Sequence, residues 1–366
     1  MKVVGIINHD NAGGAQKALD KLKSAYSEYP DIDFQILYLY EYYCRDRVMK
    51  NGTILVKGQQ SPALKHVKVI LKLISHFRKN KTDVVVCFLP YANIVGAICT
   101  FLAGVKVRII SHRNPVQSYN PTLRKIDELI GMTAIYTSIV CNSKAVKQSL
   151  IGYAPIYQNK IEIINNSVNF VFNKSVPSLI NELKKSHVDK LNIVAIGRLS
   201  EQKNYSFAFQ VIKILDVANF LIAGHGELET ELRAEVVSLG IKERVTFLGN
   251  LSHLEIQYLL KFSDVYLQTS LYEGQSNSLL EAMNAGCLIF SSDITPQREV
   301  LENQYGNNAG VLLPLDDPKK WANNIIDVTS DSGLVKMYQE QAIVHAHDFS
   351  PSNTASAYLK LFSENK

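Results

Sequence analysis

Val265-Tyr-Leu-Gln268 is followed by Thr269-Ser-Leu-Tyr-Glu-Gly-Gln-Ser-Asn-Ser-Leu-Leu-Glu-Ala-Met-Asn-Ala-Gly286 and then by Leu288-Ile-Phe-Ser291. The two flanking apolar runs read as short buried strands. Between them, Ser276 and Asn277 are good N-cap types, which places a helix start there. Leu279, Leu280 and Met283 then supply apolar helix positions, and Ala282, Ala285 and Gly286 permit close packing. A strand, a polar loop, a helix and a second strand in that order form the repeating unit of a parallel sheet covered on both faces.

The same alternation runs through the chain. Val3–Ile7, Phe34–Tyr38, Val84–Leu89, Val107–Ser111, Ile139–Cys141 and Ile161–Ile164 form one series of predicted strands. Leu191–Ile196, Asn219–Ala223, Val245–Leu248, Val265–Gln268, Leu288–Ser291 and Gly310–Leu313 form a second. Helical patterns lie between them, for example Gly14–Tyr26, Glu229–Leu239 and Leu254–Phe262. Two series in 366 residues predict two Rossmann-like domains, an α/β architecture, with residues 1–172 in the first and 173–349 in the second. The connection falls in Phe170–Lys190, where Asn173-Lys-Ser-Val-Pro177 interrupts the pattern. Ligands of open parallel sheets sit beyond the carboxyl ends of the strands, so the sheets are expected to face one another across a cleft.

Composition narrows the class. The chain is 46% apolar and 20% charged, as in soluble globular proteins. Cysteines 44, 87, 99, 141 and 287 are scattered, odd in number and free of C-x-x-C spacing, which argues for a reducing compartment and against a structural zinc site. Met1-Lys2 leads directly into Val3–Ile7, too short a run for a signal peptide. Val84–Val105 carries no charge, yet Pro90, Tyr91 and Asn93 divide it into a strand and a helix, so it is not read as a membrane span. Residues 1–172 hold 22 Lys and Arg against 11 Asp and Glu, whereas the remainder holds 17 against 23. The basic half is either a solvated face or a surface that meets something anionic, such as phospholipid or a lipid pyrophosphate. Nucleic acid is not expected, because no basic-aromatic repeat or binding module accompanies the charge. In Lys65–Lys81, cations alternate with Val67, Ile70, Leu71, Ile74 and Phe77, the pattern of an interfacial helix or of one packing on its own domain.

Four loops carry candidate chemistry. Asn11-Ala-Gly-Gly-Ala-Gln16 opens a helix after the first strand, and Gly13 and Gly14 would allow close backbone approach to a phosphate; an unliganded tight turn is the competing reading. Gly197-Arg-Leu-Ser-Glu-Gln-Lys203 brings two cations to a strand's carboxyl end, with Lys203 expected at the start of the next helix. Arg198 could fork to two oxygens while Lys203 acts as a point charge, which suits a diphosphate. Ala223-Gly-His-Gly-Glu227 offers Gly224 and Gly226 after a strand, but Glu229 stands where a dinucleotide fingerprint needs Gly or Ala. Glu273 and Glu281 flank the helix start at Ser276, where they could complement the helix dipole or hold hydroxyl groups. Asp31-Ile-Asp33 matches a three-residue metal motif by length alone and is assigned no metal.

Together these pieces resemble the retaining glycosyltransferases of family 4, with the GT-B fold, over essentially the whole chain. The matching segments are the Gly13-Gly14 loop, Ser111-His-Arg-Asn-Pro115, Ile164-Asn-Asn-Ser-Val168, Gly197-Arg198 with Lys203, Gly224-x-Gly226, and Glu273 with Glu281. The resemblance is nearest to enzymes that build bacterial surface polysaccharides and lipid-linked oligosaccharides. It implies that Arg198 and Lys203 bind the diphosphate of a nucleotide sugar, UDP by family frequency, and that Glu281 holds the ribose. It implies that Glu273 and the backbone of Gln275, Ser276, Asn277 and Ser278 hold the donor sugar, with Gly14 near the phosphates and His112 near the sugar. It also implies no metal or other cofactor, a glycan or lipid-pyrophosphate saccharide acceptor, and a C-terminal helix at about 350–366 returning to the first domain; with the cysteine usage and the basic half, a cytoplasmic enzyme is expected, either free or peripheral on the inner membrane face. A sugar-nucleotide epimerase of the same fold and a non-catalytic sugar-nucleotide-binding partner subunit remain the alternatives.

Overall fold

The computed structural model describes residues 1–11, 13–41, 51–58, 61–168, 176–186, 190–302 and 308–364. The chain divides into two compact units, Met1–Ser167 with Pro351–Lys366, and Val168–Ser350. The expected domain connection near residue 172 lies outside the described residues, as do Tyr42 and Tyr43 of the aromatic-rich run after Tyr38.

In the first unit, β1 (Lys2–His9), β2 (Asp33–Tyr40), β3 (Thr53–Val56), β4 (Val84–Phe88), β5 (Val107–His112), β6 (Ser138–Cys141) and β7 (Ile161–Ile163) form one parallel sheet. Its order is β3-β2-β1-β4-β5-β6-β7. Alternation along the strands separates two cores. Val4, Ile6, Val85 and Cys87 face one side with Val69, Leu73 and Phe77 of helix Pro62–Lys79. Val3, Ile7, Val86 and Phe88 face the other, against Leu19, Leu22 and Tyr26 of helix Gly14–Tyr26 and Tyr358, Leu361 and Phe362 of helix Pro351–Glu364. The Tyr26 hydroxyl donates to the carbonyl of Ala355 at 2.9 Å, which fixes the last helix on the first.

In the second unit, β8 (Leu191–Ile196), β9 (Ala218–Ala223), β10 (Val245–Gly249), β11 (Val265–Gln268), β12 (Leu288–Ser292) and β13 (Val311–Leu313) form a parallel sheet in the order β10-β9-β8-β11-β12-β13. Ile193, Phe220 and Leu267 pack on one face with Phe209, Trp321 and Ile325, and Val194, Leu221 and Tyr266 on the other with Leu279, Leu280 and Met283. Both sheets are doubly wound, so strand order reverses between β1 and β4 in one and between β8 and β11 in the other. Those reversals are where a loop at each side diverges and a crevice for ligand opens.

The uncharged stretch from Val84 resolves into strand Val84–Phe88 and helix Pro90–Leu102. Among the described residues, no helix is long and apolar enough to cross a membrane. The pattern missed β3, a four-residue edge strand too short to show its periodicity. Cys87, Cys99, Cys141 and Cys287 are buried and unbridged.

Candidate functional site

At the switch point of the second sheet, Lys203 meets Glu273. The loop after β8 does not enter a helix at Lys203, as the sequence predicted. Glu201–Lys203 form a single 3-10 turn, Asn204 adopts left-handed φ of +50°, and the helix begins at Tyr205. That break swings the Lys203 side chain across Gly197, where an added Cβ would lie 2.7 Å from Lys203 Cε. Lys203 Nζ then donates to Glu273 Oε1 at 2.6 Å, from the loop after β11. The two strands flanking the reversal are thus linked by one ion pair.

Glu273 is buried and held from four directions. Its Oε1 also accepts from Ser270 Oγ at 3.0 Å and Gln268 Nε2 at 3.4 Å, and Oε2 accepts from Gln202 Nε2 at 3.1 Å. Oε2 keeps capacity for a further donor such as a ligand hydroxyl. Gln268, the last residue of β11, is a hub the sequence reading overlooked. Its Oε1 accepts from Ser276 Oγ at 3.1 Å and lies 2.8 Å from the Tyr266 hydroxyl, which is 2.9 Å from Ser278 Oγ. A glutamine closing an otherwise apolar strand was the available signal.

Helix Asn277–Ala285 starts where expected, with Ser276 Oγ capping the N–H of Leu279 at 3.3 Å. Gln275, Ser276 and Ser278 are buried beside Glu273, and the first-turn N–H groups of such a helix form a partial positive charge. Glu281 is buried one turn further on, with His253 Nδ1 at 3.9 Å as a half-exposed neighbour. His253, at the first position of helix His253–Phe262, carried no sequence signal.

Arg198 is exposed, and its guanidinium makes no hydrogen bond or ion pair among the described residues. Gly224 and Gly226 act on the backbone. Gly224 has φ of +147°, and a Cβ there would stand 1.8 Å from the carbonyl oxygen of Gly197; a Cβ on Gly226 would meet that of Leu199 at 2.2 Å. The loop after β9 therefore lies directly against the Gly197–Lys203 loop, and Leu199 N–H donates to the His225 carbonyl at 3.1 Å. His225 itself reaches out to Glu229.

In the first unit, Gly13 precedes helix Gly14–Tyr26 in extended backbone without a side-chain cap, and Gly14 is exposed. Buried Gln16 steadies this turn through a 3.1 Å bond to the His9 carbonyl. Across the reversal, Leu89 has φ of +78°, a strained value for a branched residue, costing roughly 1–3 kcal/mol. His112 ends β5 and is 1% exposed, its Nε2 2.7 Å from the Tyr157 hydroxyl. Asp31-Ile-Asp33 lies at the amino end of β2, the end opposite the ligand loops, and Asp33 accepts from Gln35 at 2.8 Å.

Residues 177–345 match the family described as Glycosyl transferases group 1. The chain is 27% identical over 289 residues to an Escherichia coli UDP-Gal:alpha-D-GlcNAc-diphosphoundecaprenol alpha-1,3-galactosyltransferase, covering 74% of this chain and 72% of that one. It is 26% identical over 385 residues to a Campylobacter jejuni GalNAc-alpha-(1->4)-GalNAc-alpha-(1->3)-diNAcBac-PP-undecaprenol alpha-1,4-N-acetyl-D-galactosaminyltransferase, covering 100% and 99%. Among solved structures, Anabaena HepE in complex with UDP-glucose superposes with a TM-score of 0.83 at 18% identity over 100% of both chains. That likeness establishes the GT-B fold.

Proposed function

We propose that the chain is an enzyme of the glycosyl transferases group 1 family, whose members retain anomeric configuration, and that it moves a hexose from a UDP-sugar to a lipid-linked saccharide during bacterial surface-polysaccharide synthesis. The observation that carries the reading is the part-buried Lys203–Glu273 pair bridging the second sheet's switch point beside a helix N-terminus. A cation, a carboxylate and a set of N–H groups in one place match the three chemical parts of a nucleotide sugar: diphosphate, hydroxyls and leaving oxygen. The relatives support the choice, since the Escherichia coli enzyme's name specifies UDP-Gal and both names specify an undecaprenol-linked acceptor.

In this reading Lys203 and Arg198 bind the diphosphate, Glu273 takes sugar hydroxyls through Oε2, and Glu281 takes the ribose. Sugar transfer passes through an oxocarbenium-like state while negative charge collects on the departing diphosphate. Cations already in position stabilise that charge most in the transition state, which is where stabilisation raises kcat. Lys203 is pre-positioned by Glu273, so little reorganisation accompanies bond breaking. The acceptor hydroxyl attacks from the face the diphosphate leaves, and a phosphate oxygen receives its proton. Glu273 and Glu281 serve neither as nucleophile nor as general base. Enzymes of this family are generally metal-independent, and the same is proposed here.

The deciding experiment incubates the protein with UDP-glucose, UDP-galactose and their N-acetylamino counterparts, with and without undecaprenyl-diphosphate saccharides, in EDTA. Acceptor-dependent release of UDP with a retained anomeric product supports the proposal. Isomerised sugar nucleotide without acceptor would replace it with an epimerase, and UDP binding without turnover would replace it with a binding subunit.

A further inference from the structure

Glu281, the residue assigned to the ribose, faces an imidazole from the neighbouring helix. His253 opens helix His253–Phe262, and its Nδ1 lies 3.9 Å from Glu281 Oε1. The carboxylate is buried while the ring is about half-exposed, so the pair is closed on one side and meets solvent on the other. The start of the histidine's helix is anchored by reciprocal bonds. Ser252 Oγ accepts from the N–H of Glu255 at 3.2 Å, and Glu255 Oε2 accepts from the N–H of Ser252 at 2.7 Å. The Glu255 carboxylate is thereby turned to the helix end.

One turn further on, Gln257 is 2% exposed, and its Nε2 lies 3.0 Å from His253 Nε2. The two neighbours of the ring impose the same tautomer. A carboxylate facing Nδ1 favours a proton there. Nε2 must then accept, and the Gln257 amide presents its donor end to it. Gln257 Oε1 is buried with no hydrogen-bond partner among the described residues, so no bond at that end of the amide opposes this orientation. The neutral ring therefore carries its hydrogen on Nδ1, turned toward Glu281.

A separation of 3.9 Å is too long for Nδ1–H to bond the carboxylate directly, but it suits one oxygen placed about 2.8 Å from each. That oxygen must accept from Nδ1–H and donate to Oε1. A hydroxyl does both, whereas a phosphate or carbonyl oxygen only accepts and an ammonium only donates. We propose that His253 and Glu281 clasp a single ribose hydroxyl between them, with Gln257 a positioning residue that keeps the hydrogen on Nδ1. The clasp makes His253 a specificity residue that favours a ribonucleotide over its deoxy counterpart. Assigning the hydroxyl to a ribose rests on the transferase reading above; the tautomer does not.

The test has two arms. In the first, affinities for UDP, 2′-deoxy-UDP and 3′-deoxy-UDP are measured by calorimetry. The wild-type protein should bind UDP about a hundredfold more tightly than the analogue lacking the clasped hydroxyl, because one bond to a charged group and one to a neutral group are lost together. His253→Ala should weaken UDP about tenfold and leave that analogue's affinity unchanged, which narrows the preference to about tenfold. His253→Asn places an amide nitrogen where Nδ1 stood and should keep most of the preference; His253→Gln places it further out and should not. Equal weakening of all three nucleotides by His253→Ala, or equal behaviour of the asparagine and glutamine variants, overturns the clasp. In the second arm, nitrogen-15 NMR of histidine-labelled protein, with the His253 signals identified by their loss in His253→Asn, should show Nδ1–H in the neutral ring. Gln257→Leu should shift that ring toward a mixture of tautomers. A neutral wild-type ring protonated on Nε2 overturns the proposal. A wild-type protein that shows the Nδ1–H ring but binds no UDP removes the transferase reading, and the ribose assignment goes with it.

Discussion

The carboxyl edges of the two sheets are built on the same topology but finished differently. In the second unit, Glu273 is already held by Lys203, Gln202, Gln268 and Ser270. In the first, His112 and Asn142 each keep a buried polar atom that no described residue satisfies. One edge surrounds its central carboxylate with protein donors, and the other leaves buried polar atoms of His112 and Asn142 open. Charge that develops during a reaction is best met by groups fixed in advance, which is the arrangement around Lys203.

Breaking the pre-formed edge should have the largest effect. Lys203→Ala is expected to lower kcat for transfer roughly a hundredfold, the scale for losing one charge-stabilising donor. Steady-state kinetics with a competent donor would show it, and near-normal turnover would remove Lys203 from the mechanism. Gly224→Ala forces a Cβ into the Gly197 carbonyl at a φ that disfavours side chains, and should destabilise the second unit by about 3 kcal/mol in urea unfolding. Ser276→Ala removes the cap on the helix that carries Glu281 and should cost about 1 kcal/mol in the same measurement. The smallest effect concerns the basic character of the first unit. Helix Pro62–Lys79 exposes Leu64, Val67 and Leu71 beside Lys68 and Lys72 and contains no acidic residue. Lys72→Gln should weaken sedimentation with phosphatidylglycerol vesicles by about fivefold, near 1 kcal/mol, and unchanged sedimentation would count against a membrane-facing helix.

The contrast between the edges also explains what the sequence could reveal. Parallel sheets buried on both faces demand continuous apolar runs, so twelve of the thirteen described strands stood out, and Thr53–Val56 did not because a four-residue edge strand buries little. Lys203, Glu273 and the helix start at Ser276 were legible because charge and capping chemistry sit in short contiguous segments. Gln268 and His253 were not: a glutamine closing an apolar strand stands out, but nothing in the sequence places it, or a first-turn histidine, beside Glu273 or Glu281. Asp127, Tyr136 and Tyr157 come from two helices and the loop before β6, and only folding brings them to His112. Lys203 shows the limit of propensity: the left-handed Asn204 delays the helix, and that delay turns the side chain toward Glu273.

The helix Pro351–Glu364 belongs to the unit that contains Met1–Ser167, so in chain order the second unit is an insertion within the first. During synthesis the second sheet has every strand and helix it needs before the first has its cover. Until Tyr358, Leu361 and Phe362 leave the ribosome, the face made by Val3, Ile7, Val86 and Phe88 and helix Gly14–Tyr26 lacks part of its packing. The unit that begins first is therefore the one that finishes last, and its half-covered sheet is the stage of biogenesis most exposed to chaperones and to aggregation.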